Sequence, residues 1–176
     1  MVNGVHLSIR PTVYDDVQEL ARIQKEAFMP IYEKFKDKGN PALRGPEDIS
    51  ARLPMTKRFR YFTIRANNKI VGGILYRCCG NGIFFDDLQP GEYYLQRIYI
   101  DPSIQGKKIA RTAIEMCETQ FPDAKRFFVD FPTEMEQNQK CYEAAGFRDT
   151  GMRIEAEPGL ILSFYKKEMS KKEVRI

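Results

Sequence analysis

The sequence contains no tryptophan and a single histidine. That residue, His6, alternates with Val5, Leu7 and Ile9, and it has no partner with which to build a zinc site or a serine–histidine triad. Cysteine is also sparse: Cys78 and Cys79 are adjacent, and Cys117 and Cys141 follow at no metal-ligand spacing. No disulfide framework is expected, and the four residues read as idle or buried thiols in a reducing compartment. No apolar run approaches the roughly 20 residues of a membrane span, and no secretory leader pattern opens the chain, so a cytoplasmic protein is expected. An excess of one charge sign is missing as well, with 28 basic against 24 acidic residues. Lys107, Lys108, Arg111, Lys125, Arg126, Lys166 and Lys167 are interleaved with acids, which excludes the basic stripe of a nucleic-acid-binding face. A polyanionic small ligand suits this balance better.

What is present is enough apolar material, 43% of 176 residues, for one domain with a real core. Val5 to Arg10 alternates like a strand, and Val17, Leu20, Ala21, Ile23, Ala27 and Phe28 then recur at helical spacing. From Met29 to Leu53 the pattern weakens into a connector, broken by Gly39-Asn40-Pro41 and Gly45-Pro46, that is placed to fold over a substrate. Two strands, Arg60 to Arg65 and Ile70 to Cys79, flank the hairpin turn Ala66-Asn67-Asn68-Lys69. After a loop from Gly80 to Gly91, Tyr93 to Ile100 is the strongest strand pattern, and a helix is predicted from about Gln105 to before Pro122. Lys125 to Phe131 predicts a strand, Glu134 to Ala145 a helix closed by Gly146, and Phe147 to Ile154 with Leu160 to Lys167 a strand pair. Residues 170–176 are charged and expected to form a solvated tail. This order predicts a mixed, mostly antiparallel α/β sheet of about seven strands, with helices on both faces.

The informative stretch is Ile98 to Arg111, IYIDPSIQGKKIAR. A strand running through a glycine-bearing turn into a helix points unpaired amides and the positive end of the helix dipole at one place, which suits an anion such as a pyrophosphate. Gln105, Gly106, Lys107, Lys108, Ile109 and Ala110 match the signature Gln/Arg-x-x-Gly-x-Gly/Ala, with Lys108 where the pattern has its central glycine. A second motif, Asn138 to Tyr142 followed by Gly146-Phe147, comes in the matching order. On these two motifs the chain resembles the GNAT superfamily of acyl-CoA-dependent N-acetyltransferases.

That resemblance implies an acyl-CoA N-acyltransferase fold, with acetyl-CoA as acyl donor, no metal, and direct transfer to an amine of a small molecule or protein. It assigns Ile98, Tyr99 and Ile100 to the pantetheine arm, Gln105, Gly106, Lys107, Lys108, Ile109, Ala110 and Arg111 to the phosphates, and Asn138 to pantetheine. Strand splaying would open the slot, and Tyr142 would protonate the leaving thiolate. The position where many relatives carry a basic glutamate corresponds to Tyr94, so Glu92, two residues earlier on the same strand face, becomes the candidate base. Asp86 and Asp87 are placed to attract a cationic acceptor. No nucleic-acid or membrane partner is expected, and a homodimer is compatible with the sequence. The competing class is a CoA-binding regulatory module without turnover, motivated by Lys108 and by the absent strand carboxylate.

Overall fold

The computed structural model describes residues 4–106 and 108–170. Lys107 and the tail from 171 onward, two of the sequence expectations, lie outside the described residues.

One sheet organises the chain. Its strands are β1 (Leu7–Pro11), β2 (Phe59–Ala66), β3 (Lys69–Arg77), β4 (Glu92–Ile100), β5 (Arg126–Pro132), β6 (Arg148–Glu157) and β7 (Leu160–Glu168), in the spatial order β1-β2-β3-β4-β5-β7-β6. All neighbours are antiparallel except β4 and β5. The β2–β3 hairpin forms where Asn67 and Asn68 both adopt positive φ, 47° and 67°, the pairing a two-residue turn requires.

Alternation along the strands divides the apolar residues between two faces. Ile74, Tyr76, Leu95, Phe127 and Val129 pack with Ile109, Ala113, Ile114 and Cys117 of helix α3 (Ile109–Glu118) and with Tyr142 and Ala145 at the end of α4 (Glu136–Ala144). On the opposite face Tyr61, Leu75 and Tyr99 pack with Val17, Leu20 and Ile23 of α1 (Val17–Phe35) and with Ile49 of α2 (Pro46–Ser50). A third cluster, Leu88, Phe128 and Phe164, lies under the 80–91 loop.

Two expected boundaries move. Helix α1 continues past Phe28 and through Pro30 to Phe35, ending where Lys36 turns left-handed at φ 53°. The proline removes one backbone donor, and packing of α1 against β3, β4 and the Pro41–Leu43 turn outweighs that loss. Helix α3 begins at Ile109 rather than near Gln105, because Gly106 (φ 82°) and Lys108 (φ 58°) adopt backbone that a right-handed helix excludes.

Candidate functional site

The parallel ladder between β4 and β5 runs only from Glu92↔Arg126 to Leu95↔Val129. Beyond Leu95 the two strands part. The cause is visible on the other edge of β4, where Leu75 pairs with Arg97 and Tyr76 with Leu95, leaving Gln96 as a bulged residue without a partner. The result is a fork in the middle of the sheet, bounded by Gln96 to Ile100 on one side and by Asp130 to Pro132 on the other.

The open edge of β4 can be assigned from one bond. Asp101 donates its amide to the Val71 carbonyl on β3 at 2.8 Å, so by alternation Tyr99 and Arg97 direct their backbone groups toward β3. Ile98 and Ile100 therefore present theirs to the fork. Tyr99 does not. Its side chain is buried beneath α1, with its hydroxyl 2.7 Å from that of Tyr61. Gly72 and Gly73 permit this approach, since a Cβ on Gly72 would lie 2.2 Å from the Tyr99 carbonyl oxygen.

At the far end of the fork, Asp101 caps the Pro102–Ile104 turn through the Ser103 amide at 3.0 Å, and Gln105 returns its side-chain amide to the Ile100 carbonyl at 2.9 Å. Gln105 thus fixes the turn itself. Lys108, exposed, is the N-cap of α3 and takes the left-handed backbone that glycine would supply. The amides of Ile109, Ala110 and Arg111 follow in the first turn, where an α-helix has no acceptor of its own for them. The Arg111 side chain pairs with Glu115 at 2.9 Å. Asn138 is half-buried on α4, its amide 3.8 Å from the Met135 sulfur.

Tyr142 lies one turn further along α4, packed against Phe131 (5.2 Å between ring centroids) and edge-on to Phe147 (5.9 Å). Burial raises its phenol far above the ordinary tyrosine range, with Cys141 and Asp130 adding to the effect, so the group stays protonated. The packing contact with Phe147 and an acid role are compatible in this geometry.

The structure does not bring Glu92 to Tyr142. Glu92 stands at the closed end of the β4–β5 ladder, roughly four residues or ~13 Å along the strand from the fork. There it accepts from Arg126 at 3.0 Å and from the Gln89 amide at 3.0 Å. The carboxylate that does reach the fork is Asp130, the first β5 residue past the ladder. It accepts a hydrogen bond from the Tyr94 hydroxyl. Burial pushes the Asp130 carboxyl above the usual carboxylate range, and the Tyr94 bond offsets this only in part. Tyr94 is held protonated by its own burial and by the charge of Asp130. A lone acid at an alternating position of KRFFVDF was the available sequence signal for Asp130; its pairing with Tyr94 depends on the parallel crossover.

The walls of this second face come from the two segments expected to shape an acceptor pocket. Phe84 stacks on Phe164 at 4.6 Å and Phe85 on Phe128 at 5.6 Å, so the 80–91 loop is pinned by its aromatics beside Asp130. Asp86 and Asp87 remain exposed on its outside. The connector after α1 places Asp48 within 3.0 Å of Arg97 on β4, and Gln24 of α1 accepts from the same guanidinium at 2.8 Å. Burial pushes Asp48 up, but the bonds from Arg52 and Arg97 outweigh it and keep the carboxyl below its ordinary range.

The acetyltransferase (GNAT) family profile matches residues 18–147. No curated protein sequence matches the chain. Among solved structures, an acetyltransferase from Thermus thermophilus is 19% identical with a TM-score of 0.66, covering 93% of this chain and 97% of its own. The PaiA N-acetyltransferase from Thermoplasma acidophilum, in complex with coenzyme A, is 15% identical with a TM-score of 0.67, covering 93% and 99%. RimL, a ribosomal L7/L12 α-N-protein acetyltransferase also in complex with coenzyme A, is 14% identical with a TM-score of 0.73, covering 96% and 97%. At these identities the likeness shows the fold.

Proposed function

Since the chain belongs to the GNAT acetyltransferase family, we propose that it moves an acetyl group from acetyl-CoA to a primary amine, by direct transfer within a ternary complex. The observation that carries this reading is the fork: a strand edge left free at Ile98 and Ile100, leading from a buried tyrosine and carboxylate at its base to the amides at the start of α3. An extended ligand can add to such an edge through its amide groups. The first turn of α3, with Gln105 to Arg111, is suited to a pyrophosphate, and Asn138 to the amide-bearing arm. Acetyl-CoA supplies an activated thioester. Two structural neighbours crystallised with coenzyme A accord with that ligand, and one of them acts on a protein amine.

The chain's own groups then divide the proton work. Asp130, on the face opposite α3 and α4, accepts the proton of the incoming ammonium, with Tyr94 holding the carboxylate in place. Its raised pKa makes it a better match for an amine proton than a solvated carboxylate. Tyr142, kept protonated, donates to the departing sulfur. Asp130 here takes the place given to Glu92 in the sequence reading. Against the non-catalytic CoA-binding alternative, the glycine-like backbone of Lys108 and the carboxylate of Asp130 at the fork both favour turnover.

Titration calorimetry with acetyl-CoA, CoA and ADP tests the donor half without any guess about the acceptor. Saturable binding, tighter for acetyl-CoA than for ADP, followed by thiol release with a panel of amines, is the expected result. No heat at millimolar acetyl-CoA would end the enzyme reading.

A further inference from the structure

Four guanidinium groups gather on the Asp130 face of the sheet, with one carboxylate among them. Arg52, Arg58 and Arg77 surround the Phe59 ring, their Cζ atoms 5.3, 5.4 and 5.7 Å from its centroid. Arg97 is the fourth, and Asp48 serves both it and Arg52, at 3.0 and 2.6 Å. Among the described residues Arg58 and Arg77 have no ion-pair partner: Asp48, the acid nearest Arg58 in sequence, pairs with Arg52 and Arg97 instead.

Of these two, Arg58 is exposed and Arg77 is partly withdrawn from solvent. Arg77 is half-buried at the end of β3, donating to the Asn81 carbonyl and to Gln96 Oε1 at 3.3 Å. Burial lowers its pKa first, and the charges of Arg58 and Arg52 lower it further. Arg52 Nε is buried without a hydrogen-bond partner. The Phe59 face attracts each cation, but it does not remove the repulsion between them. Guanidinium in excess of counter-charge, with N–H donors to spare at an open rim, is the chemistry of a receptor for carboxylate or phosphate oxygens.

Position ties this cluster to the fork. Arg77 faces Tyr94 across the β3–β4 ladder, and Tyr94 is bonded to Asp130 on β5. Guanidinium, phenol and carboxylate therefore come from three adjacent strands, the phenol hydrogen-bonded to the carboxylate. Resting on the acetyl-transfer reading above, we propose that the acceptor is a small amine that also carries an anionic group, a carboxylate or a phosphate. Arg77 and Arg58 hold that group while the ammonium is presented to Asp130.

Matched acceptors test this by CoA release: phosphoethanolamine against ethanolamine, β-alanine against propylamine, and spermidine as a polycation. The anionic member of at least one pair is expected to show a kcat/KM about tenfold higher, carried by KM, consistent with charge-assisted hydrogen bonds. Which pair shows it separates phosphate from carboxylate. In an Arg58→Gln/Arg77→Gln variant the preference should fall to near unity, whereas Arg77→Lys should retain part of it; melting temperatures report whether each variant folds. Preference for spermidine or the neutral amines, or a preference that survives in the double variant, overturns the proposal. If none of these amines is turned over, inorganic phosphate is titrated in the presence of CoA. Phosphate binding that the double variant loses sustains the anion site, and equal or absent binding refutes it. Failure of acetyl-CoA itself to bind, with variant-sensitive phosphate binding retained, would reject the acetyl-transfer reading while the anion site stands.

Discussion

Replacing Lys108 by glycine separates two properties that this residue combines. Its backbone sits at φ 58° and ψ 16°, a conformation that costs an L-residue about 1–2 kcal/mol and costs glycine almost nothing. Glycine gives back about 0.5–1 kcal/mol of that through its freer unfolded chain, so Lys108→Gly should stabilise the fold by roughly 0.5–1 kcal/mol. For a chain of this length the melting temperature should rise by about 1–4 °C. The ammonium has the opposite role. As an exposed cation beside the first turn of α3, it should contribute up to about 1 kcal/mol to a bound pyrophosphate, so the same variant should bind CoA up to about fivefold more weakly. Lys108→Ala isolates the second effect, since it removes the charge and keeps the strained backbone. Differential scanning calorimetry and CoA titration on the three proteins at two salt concentrations give both numbers. A lower melting temperature for Lys108→Gly would refute the left-handed assignment. Tighter CoA binding in either variant would show that the side chain obstructs the phosphates.

Asp130→Asn should lower kcat by about 10²–10⁴-fold without weakening acetyl-CoA binding. In the unsubstituted protein, kcat/KM should rise with pH through an apparent pKa above the ordinary aspartate range, because a base works only when deprotonated; loss of that limb in the variant is the check. The same elevated pKa means that the contribution of Asp130 to folding is fully present below its unfolded pKa and is lost as pH rises from there through its folded pKa, so Asp130→Asn should flatten the stability profile across that interval. Tyr142→Phe should cut turnover by about 100-fold. Glu92→Gln should leave turnover unchanged and cost less than about 1 kcal/mol of stability, its Arg126 partner being partly exposed. Gly72→Ala, which drives a Cβ into the Tyr99 carbonyl, should destabilise by about 3 kcal/mol in urea unfolding, more than any exposed substitution.

Local features were legible in the sequence where local chemistry decides them. Asn67-Asn68 announces the hairpin and Gly146, at φ 99°, ends α4 as a helix-terminating glycine does. Tyr142, Asn138 and the turn before α3 could be singled out because their motifs are contiguous, although α3 itself starts at Ile109 rather than near Gln105. Helix α1 was cut short at Phe28 because its apolar periodicity weakens from Met29 onward, whereas the helix continues through Pro30 to Phe35 on the strength of tertiary packing. The acceptor side was the least visible. Asp130 and Tyr94 lie 36 residues apart in the chain, and Arg52 with Arg58, Arg77, and Arg97 come from three separate segments, the α2–β2 connector, β3 and β4, that only the tertiary fold brings together. Glu92 was chosen by its face along β4, but the point at which β4 leaves β5 is set by pairing on its other edge, which no single-strand pattern encodes.

Gln96 is a supernumerary residue. The pairs Leu75↔Arg97 and Tyr76↔Leu95 would become consecutive if it were deleted, and every side chain beyond it would keep its present face. Nothing in the ladder would then bend β4 away from β5, and the sheet would be free to zip shut across its middle. Such a deletion variant should melt no lower than its parent and give no heat with acetyl-CoA. Regularity and usefulness are in opposition at this position: one residue too many keeps the sheet from completing itself, and the unfinished part is where the chemistry has room.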